Sequence, residues 1–208
     1  MSEYLKKREE FVMQQFKSKD YVTISLVIAN IAVYIFCTIQ GDMLYNMGSL
    51  SVVDIIDRQE YYRVLTSMFL HAGPQHIWGN MIFLAALGDM LERSIGHGRF
   101  FTIYMLAGIG GNLLSMGREL VTGQFCSTVG ASGAVFGLIG ALLLLICRNN
   151  GTYGEVSLRR MILALVYLFY SGMQSETTNN AAHLGGFVVG FIVMAVFYCI
   201  ERRKYQKY

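Results

Sequence analysis

Charged residues and proline are scarce in this sequence. Only 15% of the residues are charged and 54% are hydrophobic, whereas a soluble globular domain carries roughly a quarter charged residues. A single proline stands beside 12 Met, 13 Phe and 13 Tyr, which is a composition typical of helices embedded in lipid. The composition therefore excludes a soluble domain and predicts an all-α membrane protein.

The cysteines lack the spacing of a binding site. Cys37, Cys147 and Cys199 lie inside apolar segments, Cys126 lies between two of them, and no two form a CxxC pair. This pattern indicates neither a disulfide framework nor a zinc site. We expect small packing residues, and we predict no metal and no cofactor.

Repeats, low-complexity tracts and long linkers are also lacking. The connections are mostly short, which predicts one membrane domain over 21–200, after a cytoplasmic segment 1–20 and before a basic cytoplasmic tail 201–208. The exception is Gly41–Gln75, whose mixture of apolar clusters and charges is typical of an amphipathic segment in the membrane interface. The first apolar segment follows twenty polar residues and precedes no small-residue cleavage site, so we expect it not to be a cleavable signal.

Six segments have the polarity of membrane spans, although a span needs roughly 20 apolar residues and the fifth is short. We number them spans one to six: Tyr21–Ile39, His76–Met90, Phe100–Met116, Ala131–Cys147, Met161–Ser171 and Asn180–Ile200.

The distribution of Lys and Arg predicts the orientation of these spans. If the N-terminus is cytoplasmic, 14 of the 17 basic residues fall on the inner side. The residues left outside are Arg58, Arg63 and Arg118. The positive-inside rule therefore predicts that both termini are cytoplasmic, in a multi-pass protein of the cell membrane. The basic excess indicates contact with anionic lipid rather than with nucleic acid.

Four polar residues are predicted to lie at one depth in the outer half of the membrane. Spans two, four and six all start outside, with His76 and Asn80 at the start of span two. Ser132 lies in the first turn of span four, and His183 lies about one turn into span six. Polar groups at membrane depth are costly, which makes each one a functional candidate.

Ser132 and His183 have the chemistry of a nucleophile and its base. A serine hydroxyl attacks well only when an imidazole takes its proton, and a helix N-terminus offers free N–H groups to an oxyanion. The simpler interpretation is a helix-capping serine and a packing histidine. Spans four and six offer no carboxylate at this depth to orient His183, so the prediction is a dyad and not a triad.

Glycines predict how spans four and six pack. Gly186 and Gly190 form a GxxxG pair on the face of His183, and span four has Gly133, Gly137 and Gly140 at matching spacing. Such pairs let helices approach closely. Packing the two glycine faces together would bring His183 next to Ser132.

His76 and Asn80 are i, i+4 neighbours on one face of span two. Both side chains donate hydrogen bonds and are suited to stabilise developing negative charge. An ordinary interhelical hydrogen bond is the alternative for each of them. Asn112, deep in span three, is expected to form such a bond.

These residues resemble the rhomboid family of intramembrane serine proteases. The resemblance rests on three motifs: GASGAVFG around Ser132, HAGPQHIWGN from His71 to Asn80, and AAHLGGFVVG around His183. Their order and the six spans match as well, so the resemblance covers nearly the whole chain. It implies that Ser132 is the nucleophile and His183 the base, and that His76 and Asn80 help to form the oxyanion hole.

The resemblance also implies features outside these residues. It implies a first loop partly immersed in the outer leaflet and a fifth helix that gates lateral entry of a substrate. The expected substrates are transmembrane segments of single-pass or polytopic membrane proteins, with small residues at the cleaved bond. The chain departs from the family in having Tyr62 before Arg63, where Trp is common, and Phe136 four residues after the nucleophile, where Tyr occurs.

Two other functions compete with intramembrane proteolysis. A catalytically inactive relative that binds membrane clients would be expected to lack the serine or the histidine, and both are present. A transporter or channel would need polar residues along a path through the bilayer. The predicted polar cluster stops in the outer half instead.

Overall fold

A computed structural model describes residues 19–174 and 178–205, apart from the side chains of residues 204 and 205. These residues form nine α-helices, one 3₁₀ turn and a short hairpin. The helices are α1 Tyr21–Gln40, α2 Asp42–Gly48, α3 Val52–Arg58, α4 Arg63–Thr66, α5 Pro74–Ile95, α6 His97–Thr122, α7 Ser132–Arg148, α8 Leu158–Met173 and α9 Asn180–Tyr205. The 3₁₀ turn covers Ser67–Phe69, and the hairpin pairs β1 Thr152–Tyr153 with β2 Val156–Ser157.

Five of the six predicted spans fall within one helix each, and the fourth does so except for its first residue, Ala131, which precedes α7. Most of the helices are longer than the predicted apolar segments. Among the described residues, three helices are long and apolar enough to cross a membrane, namely α1, α6 and α9 up to Arg203. Helix α7 is apolar but has only 17 residues. The predicted segment 1–20 lies outside the described residues except for its last two, and α9 continues five residues past the predicted end of span six.

Helix α7 lies at the centre of the bundle, where it packs against α5, α6 and α9. Twelve of its side chains or glycines are buried. Its apolar residues therefore contact protein on all sides, as expected of a helix that is hydrophobic all round.

The predicted contact between the glycine faces of α7 and α9 is confirmed. A Cβ atom added at Gly186 would lie 1.9 Å from the carbonyl oxygen of Gly133, and one at Gly190 would lie 2.0 Å from that of Gly137. A Cβ at Gly140 would lie 2.2 Å from the carbonyl oxygen of Phe187. Only glycine permits this distance between the two backbones, which explains why both helices carry small residues at this spacing.

The first loop, which is residues 41–73 between α1 and α5, folds into α2, α3, α4 and the 3₁₀ turn around the buried Arg63. Its Nη1 donates to the carbonyl oxygens of Asn46 at 2.7 Å and Ser49 at 2.9 Å. Its Nη2 forms ion pairs with Glu60 at 2.6 Å and Asp54 at 3.5 Å. One guanidinium thus supplies the donors that hold these short helices together, using the fork of N–H groups that lysine lacks.

Asn112 attaches this loop to the bundle. Its Nδ2 donates to the carbonyl oxygen of Val64 at 2.8 Å and to Ser67 Oγ at 2.9 Å. The prediction of a buried hydrogen bond is therefore confirmed, but its partners belong to the first loop and not to another long helix.

Candidate active site

Ser132 is the first residue of α7 and is half-buried. The N-cap position belongs to Ala131, and no side chain caps this helix. The interpretation of Ser132 as a capping serine is therefore wrong. The first intrahelical bond of the turn runs from Val135 N to Ala131 O at 3.0 Å, so the N–H groups before Val135 have no acceptor within the helix. The serine hydroxyl therefore lies at a helix end whose first N–H groups have no hydrogen-bond acceptor among the described residues.

The segment before Ser132 is held by the first loop. Thr128 and Leu50 exchange backbone hydrogen bonds of 2.9 and 3.0 Å, and Gly130 N donates to Ser67 O at 2.9 Å. These bonds fix the path of the chain immediately before the serine.

Gly130 brings this segment against α5. Its φ of +129° is rarely adopted by side-chain-bearing residues, and a Cβ there would lie 2.7 Å from His76 Cε1 and 3.7 Å from Asn80 Nδ2. His76 and Asn80 share one face of α5 because they are four residues apart, and Asn80 Nδ2 donates to His76 O at 3.1 Å. Both donors therefore lie beside the backbone that leads into Ser132.

His183 is buried on α9 and stacks on Phe136 of α7. The ring centroids are 4.1 Å apart and the planes differ by 10°. Phe136 is one turn after Ser132, so the imidazole lies over the face of α7 that carries the serine. Within the described residues no hydrogen bond joins Ser132 to His183.

The His183 ring has no carboxylate partner in the part of the chain that is described. Its Nδ1 is buried and accepts or donates no hydrogen bond there. Nor do the described residues contain a group of three His, Cys, Asp or Glu side chains arranged to hold a metal ion. The four cysteines are free thiols.

His71 adds a second imidazole beside His76, with ring centroids 5.2 Å apart in an edge-on contact. His71 lies in the turn before α5. Burial, and to a smaller degree the charge of His76, lowers the pKa of His71 from 6.5 to about 4. The His71 ring is therefore neutral at neutral pH.

Two residues near the site were not identified from the sequence in these roles. Gly130 stands in the sequence only as the first residue of the GASGAVFG motif, although it is the residue that faces His76. Asn179, just before α9, donates to side chains of two other segments. An asparagine directly before a predicted helix is a known start signal, and this signal could have identified Asn179.

Comparison with known proteins identifies the family. A family model described as Rhomboid domain matches residues 58–199. RHOMBOID-like protein 1 of Arabidopsis thaliana is 36% identical over 156 residues, which are 74% of this chain and 39% of that protein. Rhomboid protease GluP of Bacillus subtilis is 34% identical over 141 residues, 68% of this chain and 27% of that protein.

A third relative is matched over more of its length. Putative rhomboid protease YdcA of Bacillus subtilis is 30% identical over 160 residues, 77% of this chain and 74% of that protein. The chain spans less than half the length of the other two relatives. The matched domain, the apolar helices and the named proteases among the relatives agree with the sequence motifs. This integral membrane protein belongs to the rhomboid family.

Proposed function

We propose that this protein is an intramembrane serine endopeptidase that cleaves transmembrane segments of other membrane proteins with a dyad of Ser132 and His183. The observation that carries the proposal is the stacking of His183 on Phe136, one turn from Ser132, across a contact between two glycine faces. If His183 served only in packing, nothing would require a serine hydroxyl at the start of the helix on which its ring stacks. Ser132 supplies such a hydroxyl.

The chemistry follows from the groups at the site. Ser132 Oγ attacks the carbonyl carbon of the scissile bond while the His183 imidazole takes the hydroxyl proton. The imidazolium then protonates the leaving amine, and an acyl-enzyme forms on Ser132. Water attacks this ester while His183 takes one of its protons. The imidazolium then protonates Ser132 Oγ as the bond to the acyl carbon breaks, and the carboxylic acid product leaves.

The developing oxyanion needs donors on one side of the carbonyl. Asn80 Nδ2, the His76 ring and the free N–H groups at the start of α7 all lie around the segment from Gly130 to Ser132. Pre-oriented donors of this kind supply a large part of the rate enhancement in acyl transfer.

The substrate is a transmembrane segment of a single-pass or polytopic membrane protein with small residues at the cleaved bond. Its helix must be locally unstable, because a stable helix keeps its carbonyls in internal hydrogen bonds. Sequence similarity to named rhomboid proteases supports this substrate class.

We also propose that α1 and α5 to α9 form six spans of the cell membrane with both termini in the cytoplasm. The distribution of basic residues supports this orientation. Reporter domains fused at the C-terminus and after Gly123 are expected to report opposite compartments. Equal signals would contradict the orientation and the outer position of the site.

The decisive experiment is labelling of the purified protein in detergent with a fluorophosphonate. We expect labelling and cleavage of a fluorogenic transmembrane peptide to be lost in Ser132→Ala and in His183→Ala, with the thermal unfolding midpoint retained. Ser171→Ala is the matched control, because Ser171 is exposed on α8.

Each result separates enzyme from scaffold. Labelling that depends on both residues identifies an enzyme. Full labelling and cleavage in either variant overturns the dyad. Loss of folding in both Ser132→Ala and His183→Ala would mean that the two residues are structural.

A further inference from the structure

The side chain of Asn179 connects three segments of the protein. Its Oδ1 accepts a hydrogen bond from Ala182 N at 3.0 Å, in the first turn of α9. Its Nδ2 donates to Ser115 Oγ at 2.5 Å and to Thr128 Oγ1 at 3.0 Å. Both donors of this amide and one lone pair of its oxygen are therefore used.

The contacts of Asn179 connect it to both residues of the proposed dyad. Asn179 O accepts from His183 N at 3.1 Å, so the residue is one helical turn from the histidine. Thr128 is four residues before Ser132 and is paired with Leu50 of the first loop. The amide thus joins the start of the histidine helix directly to the segment that leads into the serine.

The third partner, Ser115, determines which kind of side chain fits at position 179. Ser115 is buried on α6, and its hydroxyl donates to Glu119 Oε1 at 3.4 Å, which leaves its lone pairs for a donor. Glu119 Oε2 also accepts from Cys126 N at 3.3 Å, in the same segment as Thr128. Position 179 therefore needs two donors on one side and one acceptor on the other, which a carboxamide provides and a carboxylate does not.

We propose that Asn179 is a positioning residue that holds His183 in register with Ser132. It reaches no reacting atom, and it acts by tying the start of α9 to α6 and to the 123–131 connection. The inference rests on the proposed dyad. Because catalysis requires near-attack geometry, a shift of about 1 Å between serine and imidazole costs up to roughly 100-fold in rate.

The key variant is Asn179→Asp, which keeps the acceptor that caps α9 and removes both donors. We expect kcat to fall by about 10- to 100-fold, with KM within about twofold of wild type because the substrate contacts are unchanged. The rates are normalised to the number of folded active sites by slow titration with fluorophosphonate, and the thermal unfolding midpoint is measured in the same detergent.

Thr128 provides the matched pair. Thr128→Val removes the acceptor with little change in shape and leaves the α9 cap intact, so it is expected to lower kcat as Asn179→Asp does. Thr128→Ser keeps the hydroxyl and is expected to restore kcat. In the double variant Asn179→Asp with Thr128→Val, the loss is expected to be no larger than in Asn179→Asp alone, because that variant already removes the bond to Thr128.

The outcomes separate this inference from the proposed function. Wild-type kcat in both Asn179→Asp and Thr128→Val, while Ser132→Ala is inactive, overturns the positioning role alone. Multiplicative losses in the double variant do the same. Activity that survives in Ser132→Ala overturns the dyad itself. If Asn179→Asp does not fold, Thr128→Val and Thr128→Ser decide the question.

Discussion

Helices α7 and α8 are neighbours in the chain and nearly equal in length, yet they are held in different ways. Of the 17 residues of α7 twelve are buried, whereas of the 16 residues of α8 only Met161 and Gly172 are. Helix α7 meets α9 through backbone-to-backbone contacts at glycines. Helix α8 contacts the site through the edge-on packing of Phe169 against Phe136, whose ring centroids are 5.3 Å apart.

This difference in burial indicates which parts of the fold are rigid. Elements with few buried contacts open at low free energy, and those at the centre open only with the whole domain. The helix that carries Ser132 is central, and the helix that rhomboid resemblance implies as the substrate gate is peripheral. The same ring, Phe136, contacts both His183 and Phe169. Phe136 is therefore where the rigid part of the site meets the peripheral helix.

The largest effect is expected from substitutions in the glycine contact. In Gly186→Val and in Gly190→Val, new side-chain atoms would collide with the carbonyls of Gly133 and Gly137, so α9 must move away from α7. We expect cleavage to be lost almost completely, because the His183 ring moves with its helix and a shift of about 1 Å already costs roughly 100-fold in rate. A Cβ placed 1.9–2.0 Å from a carbonyl oxygen demands a shift of at least that size. The measurement is turnover of the fluorogenic peptide together with the thermal unfolding midpoint.

Gly117→Val is the matched control for this prediction. Gly117 also lies in a helix, but a Cβ there meets no atom within 4 Å. The control is expected to keep most of its activity. Wild-type turnover in Gly190→Val would mean that the contact between α7 and α9 does not set the geometry of the site.

A smaller loss is expected from the oxyanion donors. Asn80→Ala removes one donor, which typically lowers kcat by about 10²–10³-fold, while KM changes little if the bond forms only in the transition state. His76→Ala should behave alike, and the double variant should lose less than the product of the two if both donors bind one oxygen. An Asn80→Ala enzyme with unchanged kcat would remove Asn80 from the site and leave it an interhelical residue.

The smallest effect is expected on α8. Phe169→Ala removes an aromatic contact worth about 0.5–1.5 kcal/mol but leaves the stacking of His183 on Phe136 in place. We expect kcat within about threefold of wild type and a slightly lower unfolding midpoint, compared with Leu163→Ala on the exposed face of α8 as control. A loss in Phe169→Ala as large as in Gly190→Val would show that α8 is as rigidly coupled as α7.

Much of this architecture was readable from the sequence, and the exceptions have physical causes. Hydropathy located all six long helices but ended them early. Span two was predicted to stop at Met90, whereas α5 continues to Ile95 because buried Glu92 accepts backbone and side-chain bonds from Val22 and Thr23. A helix can thus continue past its apolar segment where its polar side chains form hydrogen bonds with another helix.

The candidate site was predictable as a set of residues but not as a network. Spacing and depth brought Ser132, His183, His76 and Asn80 to one region because helix periodicity converts sequence into geometry. The φ of Gly130 and the partners of Asn179 depend on contacts between segments far apart in the chain. No local pattern encodes such contacts, so only the structure reveals them.

The position of His183 on α9, the last helix described, has a consequence for how the protein is made. His183 follows Ser132 in the sequence by about 50 residues. At a translation rate of roughly 5–20 residues per second, the ribosome needs about 3–10 s to synthesise them. During that interval the proposed nucleophile is already in the chain without its base. If the dyad is correct, a chain still being translated cannot cut the proteins inserted beside it. Peptidase activity would begin only when α9 packs against α7, so completion of the fold itself would act as the switch.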